Sequence, residues 1–176
     1  MLEGLFIIGS FSYGGAYLAA VHQLNTLSIG LVMTGFGAMT VVGGRVSGKL
    51  VRRFGARRIV VLGLAITAMA DLLIWLMGSH ILIFSLAIAL IGLGFITAHS
   101  TLVTRASEFA KKATGTAMSL VAFSFMGSGG IGTALGGLII RTHGLPALYL
   151  CYGLALSATV LVSAVILGRY PLTSTR

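Results

Sequence analysis

Apolar residues run along this chain in blocks far longer than the buried face of an amphipathic helix needs, and the polar residues gather in short clusters between the blocks. The clusters are turn-forming: His22-Gln23-Leu24-Asn25, Gly78-Ser79-His80 and Thr142-His143-Gly144-Leu145-Pro146. Cutting the chain at these and at the basic clusters gives six segments, near 4–22, 27–50, 58–78, 81–104, 114–140 and 146–168. No Asp, Glu, Lys or Arg falls between Gly4 and Gly44, between Ala113 and Ile140, or between Thr142 and Gly168. Each of these runs exceeds the ~20 residues that cross the hydrocarbon core of a bilayer. Backbone N–H and C=O groups must be satisfied inside lipid, and the runs are too long and too uniformly apolar for barrel strands, so they predict helices. The expected fold class is an all-α membrane protein with six transmembrane helices.

Composition agrees, with 57% hydrophobic residues, 9% charged residues and a mean hydropathy of +1.04. A water-soluble domain has nowhere to bury that much apolar surface. The formal net charge of +9 does not point to nucleic acid, because the cations sit at the ends of apolar runs and not on a polar, aromatic-studded surface. They also fall on one side. With six spans, both termini share a side with the loops after the second and fourth helices. That side carries Arg45, Lys49, Arg52, Arg53, Arg57, Arg58, Arg105, Lys111, Lys112, Arg169 and Arg176, against Arg141 alone on the other. The positive-inside rule then places both termini in the cytoplasm of a bacterial-type inner (plasma) membrane. Met1-Leu2-Glu3 lacks the positive region of a secretory signal, so the first segment is expected to stay in the mature protein. Cys151 stands alone in an apolar run, which leaves neither a disulfide framework nor a thiolate metal site.

The two halves of the chain echo each other. Gly44, Gly48, Leu50 and Arg53 recur 88 positions later as Gly132, Gly136, Leu138 and Arg141, and Gly63-Leu64-Ala65 recurs as Gly153-Leu154-Ala155. This predicts a three-helix repeat, 1–78 and 79–176, within one six-helix bundle. Three being odd, the second copy would be inverted across the membrane, an arrangement common among secondary transporters. Gly44/Gly48 and Gly132/Gly136 each form G-x-x-x-G, the spacing that lets helix backbones approach closely.

The stretch Gly48-Lys49-Leu50-Val51-Arg52-Arg53-Phe54-Gly55-Ala56-Arg57-Arg58, between two helices on the basic side, resembles the G-x-L-x-D-R-x-G-R-R-R loop of the major facilitator superfamily. Gly48, Leu50, Arg53, Gly55, Arg57 and Arg58 match; Arg52 stands at the acidic position and Ala56 at one basic position. Gly48 and Gly55 are expected to permit a turn that a Cβ would strain. Loss of the acid resembles the second, decayed copy of the motif. With Glu3-Gly4 leading into Phe11-Ser12-Tyr13 and Gly115-Thr116-Ala117 opening a glycine-rich fifth helix, the chain is similar to the C-terminal half of a drug-efflux-type member. The resemblance implies half of a major facilitator fold, whose first, second, fourth and fifth helices line a central cavity and whose third and sixth are peripheral supports.

On that basis helical spacing selects Phe6, Ser10, Tyr13 and Tyr17 on the first helix, and Gly92, Phe95 and His99 on the fourth. Ser10, Tyr13, Tyr17, Phe95 and His99 are the substrate-cavity candidates: aromatic and hydroxyl groups suit an amphipathic organic solute, and helix packing is the alternative use of the same residues. Asp71 is the one acid inside an expected span, and a carboxylate there must be paired, protonated or near water. The residue itself is the leading ion-coupling candidate; the resemblance, by placing it on a support helix, implies a structural role. His22, His80 and His143 belong to the outer side and His99 to the inner, which disfavours zinc. No nucleophile, base and orienter constellation, phosphate loop or Cys/His cluster is present, so the expectation is not an enzyme, with no cofactor and no metal. The function expected is secondary transport by alternating access, with efflux of a small organic solute. Its partners are the lipid bilayer and a missing N-terminal six-helix half or a second copy. The alternative is a non-transporting membrane protein, or truncated relic, that packs against a partner.

Overall fold

The computed structural model describes residues 2–109 and 113–169; Lys111, Lys112 and Arg176, and the side chain of Arg169, lie outside the described residues. Six helices are long and apolar enough to cross a membrane. The first covers Gly4–His22, the second Thr26–Phe54, the third Ala56–Met77, the fourth Ile81–Phe109, the fifth Thr114–His143 and the sixth Leu145–Arg169. The expected boundaries hold at the outer turns. At the basic end the second and fourth helices run several residues further than their apolar blocks, because a helix continues through Arg and Lys once these reach water.

Short caps explain the stops. The first helix ends at Gln23, which takes a left-handed conformation (φ 51°), and the Leu24 N–H closes back on the Leu18 carbonyl at 3.3 Å. Asn25 then caps the second helix, accepting from the Ser28 N–H at 2.9 Å. Between the second and third helices the loop shrinks to Gly55, with φ 85°. The turn expected to involve both Gly48 and Gly55 therefore belongs to Gly55 alone; Gly48 lies inside the second helix. Gly144, also at positive φ (86°), separates the fifth and sixth helices, and Pro146 falls in the first turn of the sixth, where its missing N–H costs nothing.

The third helix packs between the fourth and the sixth, the second lies against the fourth, and the fifth lies against the first and the sixth. Third and fourth meet backbone to backbone, since a Cβ on Gly63 would stand 2.6 Å from the Gly94 carbonyl oxygen. The core collects Tyr17 and Leu18 from the first helix, Leu64 and Ile74 from the third, Phe84, Ile88 and Ile91 from the fourth, and Leu148, Tyr149 and Leu156 from the sixth. Burial is uneven. The most apolar window of the third and of the fourth helix is 44% buried within the chain, against 6% for the second and 22% for the fifth. The third helix, expected as a peripheral support, is thus among the two most enclosed, and the second and fifth are the most open.

Candidate solute cavity and buried carboxyl

The first helix is irregular where it matters. It opens with a π-helical turn, Gly4–Ile8, continues as α-helix through Gly9–Ser12, and breaks at Tyr13 (φ −96°, ψ 0°) before resuming at Gly14. Such turns change the angular phase of a helix. The residues that a regular period puts on one face differ in burial.

Tyr13, Phe95 and His99 are half-buried on the open side of the bundle. Phe95 stacks on His99 (centroids 5.1 Å), on Phe36 of the second helix (5.8 Å) and on Phe125 of the fifth (5.6 Å). Phe11 of the first helix extends the row, 4.1 Å from Phe36. Four helices thereby contribute to one continuous aromatic surface. Tyr13 packs on the fifth helix, its hydroxyl donating to the Thr133 carbonyl at 2.8 Å. Gly92 serves the crossing beneath, because a Cβ there would collide with the backbone of Phe36.

Ser10 and Tyr17 go elsewhere. Ser10 is fully buried and Tyr17 nearly so, in the closed core formed with the third and sixth helices. Tyr17 stacks on Phe84 at 4.9 Å and meets Tyr149 edge-on at 5.6 Å. The structure thus takes these two cavity candidates out of the aromatic row. Phe6 packs edge-on to Tyr152, at 5.6 Å.

Asp71 lies in that same core. It is fully buried, forms no ion pair among the described residues, and leaves both carboxyl oxygens without a hydrogen-bond partner. Facing it are Ser10 of the first helix and Tyr149 and Tyr152 of the sixth. The Ser10 hydroxyl donates to the Ile7 carbonyl at 3.3 Å and has the Asp71 carboxyl beside it as an alternative acceptor. Tyr152 donates to the Gly132 carbonyl, whereas the Tyr149 hydroxyl has no partner. No cation of the described residues pairs with Asp71. A carboxylate in such surroundings costs several kcal/mol, whereas a neutral acid needs no cation.

Glu3 is the residue that sequence reading missed. It precedes the first apolar block, yet it is buried (7% exposed), with Oε2 3.6 Å from His99 Nδ1 and Oε1 without a partner. His99 also stands 4.4 Å from the Phe125 ring. The only sequence signal was scarcity: Glu3 is one of three acidic residues in the chain. Phe36 and Phe125 carried no such signal, since each is one phenylalanine among nine.

A comparison with curated proteins finds no match. The sequence model of the Major Facilitator Superfamily, by contrast, matches residues 2–176, which takes in every one of the six apolar helices and the basic turn at Gly55. A transmembrane transporter is what that architecture implies, and the chain belongs to the major facilitator superfamily.

Proposed function

We propose that the chain supplies one six-helix bundle of a secondary transporter, built from two inverted three-helix repeats (1–78 and 79–176), which exports a small organic solute by alternating access. The observation that carries this reading is the aromatic row Phe11, Phe36, Phe95, His99 and Phe125, to which the first, second, fourth and fifth helices all contribute. Rings on four separate helices give stacking area whose shape changes when the helices rock, and the Glu3–His99 pair adds a polar anchor at one end. Asp71, behind that surface on the third helix, is the coupling group of the proposal: its solvent-free site takes a proton readily and holds a charge at high cost. In this reading both termini are cytoplasmic in a bacterial-type inner (plasma) membrane, and the charge asymmetry supports it.

The partner is a complementary N-terminal bundle or a second copy of this chain. Support comes from the two least buried helices: Gly30 and Gly37 on the second, and Gly127 and Gly130 on the fifth, would have no atom within 4 Å of an added Cβ. Open glycines on a membrane helix suit close approach by another helix.

The test is solute flux in proteoliposomes. The chain alone is expected to give no saturable flux, and co-reconstitution with the complementary bundle to restore it. In the restored system Phe95→Ala is expected to raise the apparent KM, while Leu161→Ala, on the sixth helix and 66% exposed, leaves it unchanged. Robust coupled flux from single chains, or equal effects of the two variants, refutes the reading.

A further inference from the structure

The chain holds twelve cations and three carboxyl groups, two of which, Glu3 and Asp71, are buried inside the bundle. The basic end therefore keeps Glu108 as its single acidic side chain. The acidic side chains of this chain cannot balance the cations there.

A crevice of about 550 Å³ opens at that end between the second and fourth helices, floored by Ala56 at the start of the third. Its roof is the Ser100–Ser47 hydroxyl contact, 3.3 Å long. Beyond it the walls are held open by Gly44 and Gly48, for a Cβ on Gly44 would meet nothing nearer than Ile96 at 3.7 Å, and one on Gly48 only the Arg52 Nη1 at 4.0 Å. This G-x-x-x-G is consequently not a tight helix crossing. It makes room.

The chemistry of the lining selects the occupant. The Thr101 and Thr104 hydroxyls give their hydrogens to the Thr97 and Ser100 carbonyls, 2.9 and 2.8 Å away, so the hydroxyl wall offers acceptors. The charged donors at the mouth are two guanidinium groups. Arg105 shares its charge with Glu108 at 3.3 Å, whereas Arg52, folded over Gly48, forms no ion pair among the described residues. Two guanidiniums and one carboxylate leave net positive charge around a polar space, and the guanidinium fork is shaped for phosphate oxygens. Val41, one turn toward the membrane centre, is 55% exposed and apolar, which suits an acyl chain continuing from the same site.

We propose that this crevice binds the phosphate of an anionic phospholipid headgroup from the inner leaflet. The proposal rests on the cytoplasmic placement of the basic end and is independent of which solute is carried. It also gives Arg52, which stands where the resembled loop motif has an acid, a role of its own: an acid there would repel the ligand.

The experiment is native mass spectrometry of the purified chain extracted from bilayers of phosphatidylcholine mixed with phosphatidylglycerol, counting phosphatidylglycerol retained per chain. Arg52→Gln is expected to lower retention about tenfold, as loss of one charge-assisted hydrogen bond to the phosphate would. Glu108→Gln is expected to raise it, and Arg58→Gln, with the same charge change outside the crevice, to alter it less than twofold. Circular dichroism of each variant checks folding, and the opposite sign expected for Glu108→Gln keeps the test decisive if Arg52→Gln folds poorly. Equal losses for Arg52→Gln and Arg58→Gln would reduce the effect to diffuse surface potential and overturn the site. Stabilisation by inorganic phosphate in pure phosphatidylcholine, matching that by phosphatidylglycerol, would overturn the lipid in favour of a soluble anion. Loss of retained lipid on adding the complementary bundle would show a protein occupant instead.

Discussion

Gly132→Ala tests the packing on which the candidate cavity depends. A Cβ on Gly132 would fall on the Leu5 carbonyl of the first helix, and on the reverse side a Cβ on Gly9 would stand 3.2 Å from the Gly132 carbonyl carbon. The first and fifth helices therefore touch through their backbones. An ordinary carbon–oxygen contact needs roughly 3.3 Å or more, so the helices must part by roughly 1 Å or more to accept one methyl group. Overpacking of this kind costs about 1–3 kcal/mol. Parting the helices also strains the 2.8 Å Tyr13 hydroxyl bond to the Thr133 carbonyl, worth about 1 kcal/mol. Alanine recovers up to about 1 kcal/mol of helix propensity over glycine, which leaves a net destabilisation of about 1–3 kcal/mol. The assay is unfolding of the purified chain in mixed micelles with increasing SDS, followed by circular dichroism. Gly130→Ala, two residues earlier with no atom within 4 Å of the new Cβ, is the internal comparison and should be neutral or slightly stabilising. If the two variants agree within about 0.5 kcal/mol, the backbone contact is not what holds the first helix in place.

Three further outcomes are expected. Asp71→Asn should fold to normal abundance, remove the carboxylic-acid C=O band from the infrared spectrum of the chain in bilayers, and abolish pH-driven flux in the reconstituted pair; pH-driven flux at wild-type level would remove Asp71 from coupling. Gly55→Ala should cost about 1–2 kcal/mol because its φ of 85° is unfavourable for any side chain, whereas Gly48→Ala inside the second helix should be tolerated; the same SDS titration decides it, and equal behaviour would refute the single-glycine turn. Single cysteines placed at Arg53 and His143 should react with a membrane-impermeant maleimide from the cytoplasmic and outer sides respectively, and labelling of position 53 in intact cells would reverse the orientation.

What the amino-acid sequence determined alone was the number of helices, because a bilayer demands runs of about 20 apolar residues and the chain shows six, divided by turn residues such as Gln23-Leu24-Asn25 and Gly144. The basic turn was equally legible, and with it the family, since Gly55, Arg53, Arg57 and Arg58 are consecutive features of one local stretch. Which face of each helix looks where was not legible. Period counting put Ser10 and Tyr17 beside Tyr13, whereas the structure buries the first two in the core with Asp71 and Tyr149 and leaves Tyr13 half-buried at the fifth helix, a difference that tertiary packing decides. The same holds for the two glycine pairs: identical spacing gives a backbone crossing at Gly132 and an open crevice at Gly48. Spacing fixes only that both glycines of a pair lie on one side of their helix; what stands opposite them is decided by tertiary contacts, here the first helix in one case and the diverging end of the fourth in the other. Glu3 shows the limit most sharply, for a carboxyl outside every apolar block became a buried partner of His99 only once the first and fourth helices were set side by side.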